Sequence, residues 1–316
     1  MNLLEKNKAF IVKKLGFNTF EDYLKFPMYY EIETINACNA KCEMCTIADW
    51  QKHPDPFMSK ELFEKIADEI IAHKDIVRVV NLCRDGEPLM DKGLETKINY
   101  LKKGGVNHTT FSTNGSLLNR DRALSLINSE LDEIMFSIDG FTKETFEGIR
   151  VGLDFDKVVE NVKNFIALRN EKNSKIKVRI RLVIQEKNSH EVDDWSNFWK
   201  PLLGNEDSVH AKAIHSWGNQ LNNFMPARNY DNLTTPCTST FSTMIIRYNG
   251  DVTICPLDFD FKHKNGNLKD SSIEKVWNTG KEFKKFREIH LDGKRDAFSF
   301  CAGCRLWDSD INKDVY

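Results

Sequence analysis

Between Tyr29 and Ser216 the chain alternates extended apolar runs with stretches of helical periodicity, and this alternation narrows its fold more than any other feature. Tyr29–Asn36, Val77–Cys83, His108–Thr113, Glu133–Asp139, Lys177–Ile184 and Val209–Ser216 read as strands. Ser59 is a natural N-cap for a helix through His73 that places Leu62, Phe63, Ile66 and Ile70 on one face. Further helices are expected at Arg120–Ser129, Asp156–Arg169 and Glu191–Leu203. Parallel neighbours need a long crossover, so strands separated by helices imply βαβ units and a parallel sheet. Six such strands suit an open or partial barrel, an α/β fold that binds ligands at the carboxyl ends of its strands. Asn36, Cys83, Ser112, Asn114, Ser137 and Asp139 all lie at those ends.

The flanking segments have a different texture. Leu3, Leu4, Phe10, Ile11 and Leu15 suggest a short helix, followed by an amphipathic turn to about Pro27. Gln220–Pro236 is rich in Asn and Pro and reads as a linker. Met244–Tyr248 and Asp251–Cys255 flank Asn249-Gly250, a signal for a tight hairpin. A helix over Ser272–Phe286 and a loop carrying Cys301 and Cys304 follow, and Trp217, Trp277 and Trp307 are suited to packing this small module. The expected organisation is a helical extension over 1–28, a core over 29–218, a linker over 219–235 and a cysteine-pinned module over 236–316.

Charge and composition exclude several classes of partner. Lys plus Arg number 45 against 47 Asp plus Glu, which gives no global attraction to nucleic acid or to anionic membranes. No run approaches the roughly 18 apolar residues of a membrane span. Met1–Lys14 is charged throughout and lacks the apolar stretch of a signal peptide, so a cytoplasmic location is expected. In that compartment eight cysteines are not expected to form structural disulfides.

Seven of the eight fall into two sets. Cys38, Cys42 and Cys45 form C-x3-C-x2-C just after the first strand. Three thiolates this close fit three corners of a cuboidal iron–sulfur cluster with one iron left open. They also fit a zinc site completed by His53, or three unrelated buried thiols. Cys237, Cys255, Cys301 and Cys304 supply four ligands, enough for a closed iron–sulfur cluster or a four-cysteine zinc site. Cys83 stands alone at the barrel mouth, either as a reactive thiol or as a small buried strand residue.

The C-x3-C-x2-C spacing resembles the signature of the radical S-adenosylmethionine (SAM) superfamily, with Met44 at a position that is usually aromatic. The resemblance implies a partial (β/α)6 TIM-like barrel. It also implies a 4Fe-4S cluster on the three cysteines whose open iron binds SAM, and reductive cleavage of SAM to a 5′-deoxyadenosyl radical that abstracts a substrate hydrogen. Met44 would pack against adenine. Gly86-Glu87-Pro88 resembles the family's GGE-type motif that receives the SAM amino group, with Asp85 in place of the first glycine. Ser112-Thr113-Asn114-Gly115 and Ser137-Ile138-Asp139-Gly140 resemble the polar strand ends that contact SAM. Arg181 is a candidate partner for the SAM carboxylate, or a salt-bridging strand residue.

The second cysteine set, with Asn249-Gly250-Asp251 and Cys301-Ala302-Gly303-Cys304, resembles the SPASM/Twitch auxiliary-cluster region, a small α+β domain. That implies a second, fully ligated 4Fe-4S cluster acting in electron transfer, with a flavodoxin- or ferredoxin-type reductant. Chain size and a single auxiliary cluster are most similar to butirosin-type aminocyclitol dehydrogenases and related sugar or aminoglycoside epimerases. The expectation is therefore oxidation or epimerisation of a small polar molecule, with Cys83 as the hydrogen donor in the epimerase case. Two alternatives stand beside it. One is a peptide- or protein-modifying maturase, against which stand the mere 37 residues before Cys38 and the short auxiliary region. The other is a non-catalytic iron–sulfur or zinc protein. No nucleic-acid or membrane partner is expected.

Overall fold

The computed structural model describes residues 1–47, 54–215, 217–218, 220, 234–298, 301–302 and 304. His53, Trp307 and most of the expected linker lie outside them. In chain order the elements are α1 (Leu3–Leu15), β1 (Tyr29–Ile32), α2 (Lys60–Ala72), β2 (Val79–Asn81), α3 (Leu94–Lys103) and β3 (Thr109–Thr113). Next come α4 (Arg120–Asn128), β4 (Glu133–Ser137), α5 (Lys143–Ile149), α6 (Phe155–Glu171), β5 (Lys177–Ile184), α7 (Val192–Trp199) and β6 (Ser208–Ala213). The C-terminal part adds β7 (Thr243–Ile246), β8 (Asp251–Thr253), β9 (Lys264–Asn267), α8 (Ile273–Thr279) and α9 (Lys281–Leu291).

β1 to β6 form the expected parallel array, each pairing with its sequence neighbour. Side chains alternate across a strand, so the two faces of the sheet separate by chemistry. Ile32, Val80, Phe111, Ile134, Phe136, Ile180 and Leu182 are fully buried on one face. The helices supply the matching apolar stripes: α2 buries Leu62, Phe63, Ile66 and Ile70, with Ser59 accepting from the Leu62 N–H as N-cap. The other face is polar. Glu31 is in register with Asn81, Asn81 with Thr110, Ser112 with Met135, Ser137 with Arg181, and Arg181 with His210. This is an α/β partial barrel whose inner face carries charges in place of packed aliphatics.

Several expectations need correction. β5 spans the expected Lys177–Ile184 and β3 ends at Thr113 as expected, whereas β1, β2, β4 and β6 end before their apolar runs do, where the chain bends into the loops that build the site. β1 stops at Ile32, after which the Glu33 N–H bonds to the Ile246 carbonyl. α3 and α5 were not anticipated. The single helix expected over Ser272–Phe286 is two, interrupted at Gly280, whose ψ of 123° is extended. In the hairpin only Gly250 has positive φ (88°), so Asn249-Gly250 is not the two-residue mirror-image turn, in which both would be positive. Instead Arg247 and Gly250 close a longer turn through Gly250 N to Arg247 O.

The C-terminal module does not stand apart from the core sheet. β7 pairs in parallel with β1, and β8 and β9 continue antiparallel, giving one nine-stranded sheet. Trp277, fully buried, donates from Nε1 to the Tyr23 carbonyl and lies under the Arg287 guanidinium, tying the module to the N-terminal segment.

Candidate active site

The Cys38–Cys45 loop is gripped by the loop that follows each core strand from β2 to β5. After β2, the Glu87 N–H donates to the Ala37 carbonyl at 2.8 Å. This approach requires a glycine beforehand, since a side chain at Gly86 would collide with the Ile35 carbonyl and come within 2.9 Å of that of Ala37. After β3, Asn114 Nδ2 donates to Asn39 Oδ1 at 3.0 Å and Asn39 Nδ2 to Ser116 Oγ at 2.8 Å. After β4, Lys41 and Glu43 donate their N–H groups to the Val151 and Ile149 carbonyls. After β5, Lys187 pairs with Glu43 at 2.8 Å.

Within this frame the three thiols lie within electrostatic reach of one another. Burial raises Cys38 and Cys45 to about 11, with Cys42 adding to the rise in both. Glu87 is almost completely buried and its carboxylate is already engaged: Oε1 accepts from Thr113 Oγ1 (2.6 Å) and Leu89 N (3.0 Å), Oε2 from Asn114 N (2.8 Å). About one of its four acceptor positions remains. Pro88 opens the short 3₁₀ turn Pro88–Met90, where its missing N–H costs nothing. Met44 Sδ faces Gln185 Nε2 at 3.9 Å, and its carbonyl accepts from Trp217 Nε1 at 3.1 Å. Trp217 therefore closes over the cysteine loop as well as meeting Phe259 in the small module.

Sequence reasoning missed Arg150. Its Nε and Nη2 grip Asp139 Oδ2 at 2.7 and 2.6 Å, while Nη1 lies 3.7 Å from Cys42 Sγ. Burial opposes its charge, but Asp139 and Cys42 outweigh burial and hold the guanidinium more firmly protonated than usual. Asp139, fully buried, also accepts from the Val183 N–H at 2.7 Å. Periodicity gives no sign of Arg150; it ends α5 and reaches Cys42 only through the fold.

Ser112 and Ser137 lie on the inner face, Ser137 opposite Arg181. Cys83, buried beside Asn81's strand end, has its Sγ near the carbonyls of Arg84 (3.8 Å) and Gly86 (3.9 Å). Burial, then Glu87, raises its thiol far above the ordinary range, and Glu31 contributes. Glu31 itself is raised to about 7 by burial, against Arg84 and Arg181. Arg84 and Asp85 form a buried ion pair, and Arg84 donates to the Pro256 and Asp258 carbonyls just past Cys255 while stacking over Phe261. It ties the loop after β2 to the second cysteine site.

At the second site, Cys255 is raised well above its usual range by burial and by Cys301, Cys237 and Cys304, so all four thiols lie within electrostatic reach. His290 Nδ1 accepts from the Cys237 N–H at 2.9 Å, and burial lowers this imidazole to about 3. Arg295 binds the Thr235 and Cys304 carbonyls. Among the described residues no group of three His, Cys, Asp or Glu side chains could hold a metal ion. A cuboidal cluster asks for a wider arrangement, one thiolate per iron, and an all-cysteine donor set suits it.

Residues 32–194 match the profile of the radical SAM superfamily. The chain belongs to this superfamily. Residues 237–305 match SPASM, an iron–sulfur cluster-binding domain. Its cofactors are accordingly a 4Fe-4S cluster with SAM in the core and auxiliary iron–sulfur in the C-terminal region. Among curated proteins, a probable GTP 3′,8-cyclase of Saccharolobus islandicus is 29% identical over 188 residues, covering 59% of this chain and 57% of the cyclase. The chain thus spans little more than half the length of that relative. The mycofactocin maturase MftC of Mycobacterium ulcerans is 23% identical over 92% of this chain and 83% of its own length. Among solved structures, BtrN with AdoMet and 2-DOIA superposes with a TM-score of 0.57 at 18% identity, covering 89% of this chain and 94% of BtrN. Streptococcus suis SuiB bound to S-adenosylmethionine gives 0.65 at 16% identity, covering 90% and 72%. These superpositions show a shared fold.

Proposed function

We propose that this radical SAM enzyme oxidises or epimerises a small polar substrate, a sugar, an aminocyclitol or a similar molecule, held over the inner face of β1–β6. Cys38, Cys42 and Cys45 would hold the 4Fe-4S cluster, with Met44, Gly86, Glu87, Pro88, Ser112, Asn114, Ser137 and Asp139 around SAM. Cys237, Cys255, Cys301 and Cys304 would hold one auxiliary cluster as an electron relay. When bound, the core cluster and SAM together supply one-electron hydrogen abstraction.

The observation that carries this reading is Glu31 on that face with Cys83, just past the end of β2, within its electrostatic reach, both outside the two cysteine sets. Oxidation of a carbinol needs a proton acceptor, and a carboxyl raised to about 7 is matched to that task near neutral pH. Epimerisation needs a hydrogen-atom donor, and a thiol held protonated by burial provides one. The domain division at 28, 218 and 235 belongs to the same reading.

A peptide substrate is the second reading. It is favoured by the nearly full-length match to MftC and by the fold shared with SuiB, which has been seen bound to its precursor peptide SuiA. Deuterium transfer separates the readings. Sugars and cyclitols deuterated at each carbinol carbon should pass deuterium into 5′-deoxyadenosine. Cys83→Ala should leave ketone formation intact if the enzyme oxidises, and stop inversion if it epimerises. Transfer from peptides alone would overturn the small-molecule reading.

A further inference from the structure

Almost every charge bordering the inner face has a partner. Arg179 pairs with Glu133 at 3.0 Å, Arg150 with Asp139, Arg84 with Asp85, and Arg247 approaches Glu33 at 3.8 Å. Arg181 differs. Among the described residues its side chain makes no hydrogen bond or ion pair, and its Nε is buried. Its strongest electrostatic support comes from Asp139, whose carboxylate is already gripped by Arg150, and burial still outweighs that support. A guanidinium left in this state is expensive, and the cost is recovered where a ligand supplies a further anion.

Its surroundings reinforce that expectation. His210 sits directly across from it on β6, and Lys212, in register with Val183, occupies the same face one pleat further on. The β5–β6 wall is therefore basic, and it stands across the sheet from Glu31 on β1. The guanidinium nearest the cysteine loop is that of Arg150, 3.7 Å from Cys42 Sγ. Arg181 feels the Asp139–Arg150 pair first, and it also lies within electrostatic reach of Cys83 and Glu31, the two groups assigned above to the substrate.

We propose that Arg181, flanked by His210 and Lys212, receives an oxyanion of the substrate, a carboxylate or a phosphate, and so selects acidic over neutral sugars or cyclitols. This rests on the small-molecule reading above and narrows its substrate class. Arg181 is thereby assigned to the substrate and not to the SAM carboxylate.

Calorimetric titration of the anaerobically reconstituted, SAM-loaded protein tests it, with glucose 6-phosphate and glucuronate as the two anionic probes and glucose as the neutral one. At least one anionic probe should bind tenfold or more tightly than glucose, and which one does distinguishes phosphate from carboxylate. Arg181→Met should abolish that preference, Arg181→Lys should restore part of it, and SAM affinity should stay within twofold. Without probes, Arg181→Met should unfold at the same temperature as the parent or higher, because a charge whose burial outweighs its electrostatic support has been removed; a structural ion pair would give the opposite shift. Equal binding of all three probes, an unchanged preference in Arg181→Met, or a loss of SAM affinity in that variant would each overturn the assignment. Such a failure leaves deuterium transfer from neutral cyclitols intact, whereas failure of the small-molecule reading removes transfer from every sugar and cyclitol.

Discussion

Replacing Asp139 with asparagine removes one charge while preserving side-chain volume, and it does so where Arg150 has its only carboxylate partner among the described residues. The parent aspartate is fully buried and takes two hydrogen bonds from Arg150, at 2.7 and 2.6 Å, and one from Val183 at 2.7 Å. Deleting one member of such a buried pair leaves the other charge uncompensated, at a cost of about 3–5 kcal/mol. For a chain of this size, at about 2 °C per kcal/mol, the unfolding temperature should fall by roughly 6–10 °C. The companion Arg150→Met should also destabilise, and the double variant should lose at least about 2 kcal/mol less than the sum of the two, because each single change already breaks the same pair. Urea unfolding of the four proteins measures this cycle. Additive losses, or a loss below about 1 kcal/mol in Asp139→Asn, would refute the coupling of β4, β5 and the cysteine loop through this pair.

Three further outcomes follow from the geometry. Gly86→Ala, which drives a methyl group into the Ile35 and Ala37 carbonyls, should sharply lower iron incorporation at the first site while leaving the auxiliary signal, as measured by iron content and electron paramagnetic resonance. Glu31 is raised from 4.5 to about 7 in the fold, so the native state holds its proton more tightly than the unfolded chain. Its contribution is therefore fully present below about pH 4.5 and lost as pH rises through about 7. Unfolding free energies across that window should flatten in Glu31→Gln, and an unchanged slope would contradict the burial of this carboxyl. Cys255→Ala should erase the auxiliary cluster's spectroscopic signal and substrate turnover while SAM cleavage continues.

What could be read in advance was whatever is local in sequence. The strands of the core announce themselves by apolar runs, α2 by periodicity and its N-cap Ser59, and α6 by periodicity. The cysteine sets are legible because a cluster fixes ligand spacing along the chain. α3 escaped notice because its buried Leu94, Ile98 and Leu101 are diluted by lysines, and α5 because seven residues are too few to show a period. Arg150 lies 108 residues from Cys42, and no local pattern encodes that contact. The joining of β7 to β1 was hidden for the same reason. Its four buried residues Thr243–Ile246 mark a central strand but do not name the neighbour.

The most direct measurement is release of 5′-deoxyadenosine from anaerobically reconstituted protein given dithionite and SAM. The parent chain should release it, and Cys42→Ala, which removes one ligand of the open-iron site while keeping the auxiliary cysteines, should not. No release from fully reconstituted parent protein, under conditions where a control radical SAM enzyme turns over, or undiminished release from Cys42→Ala, would contradict the assignment of Cys38, Cys42 and Cys45 as the SAM-cleaving centre.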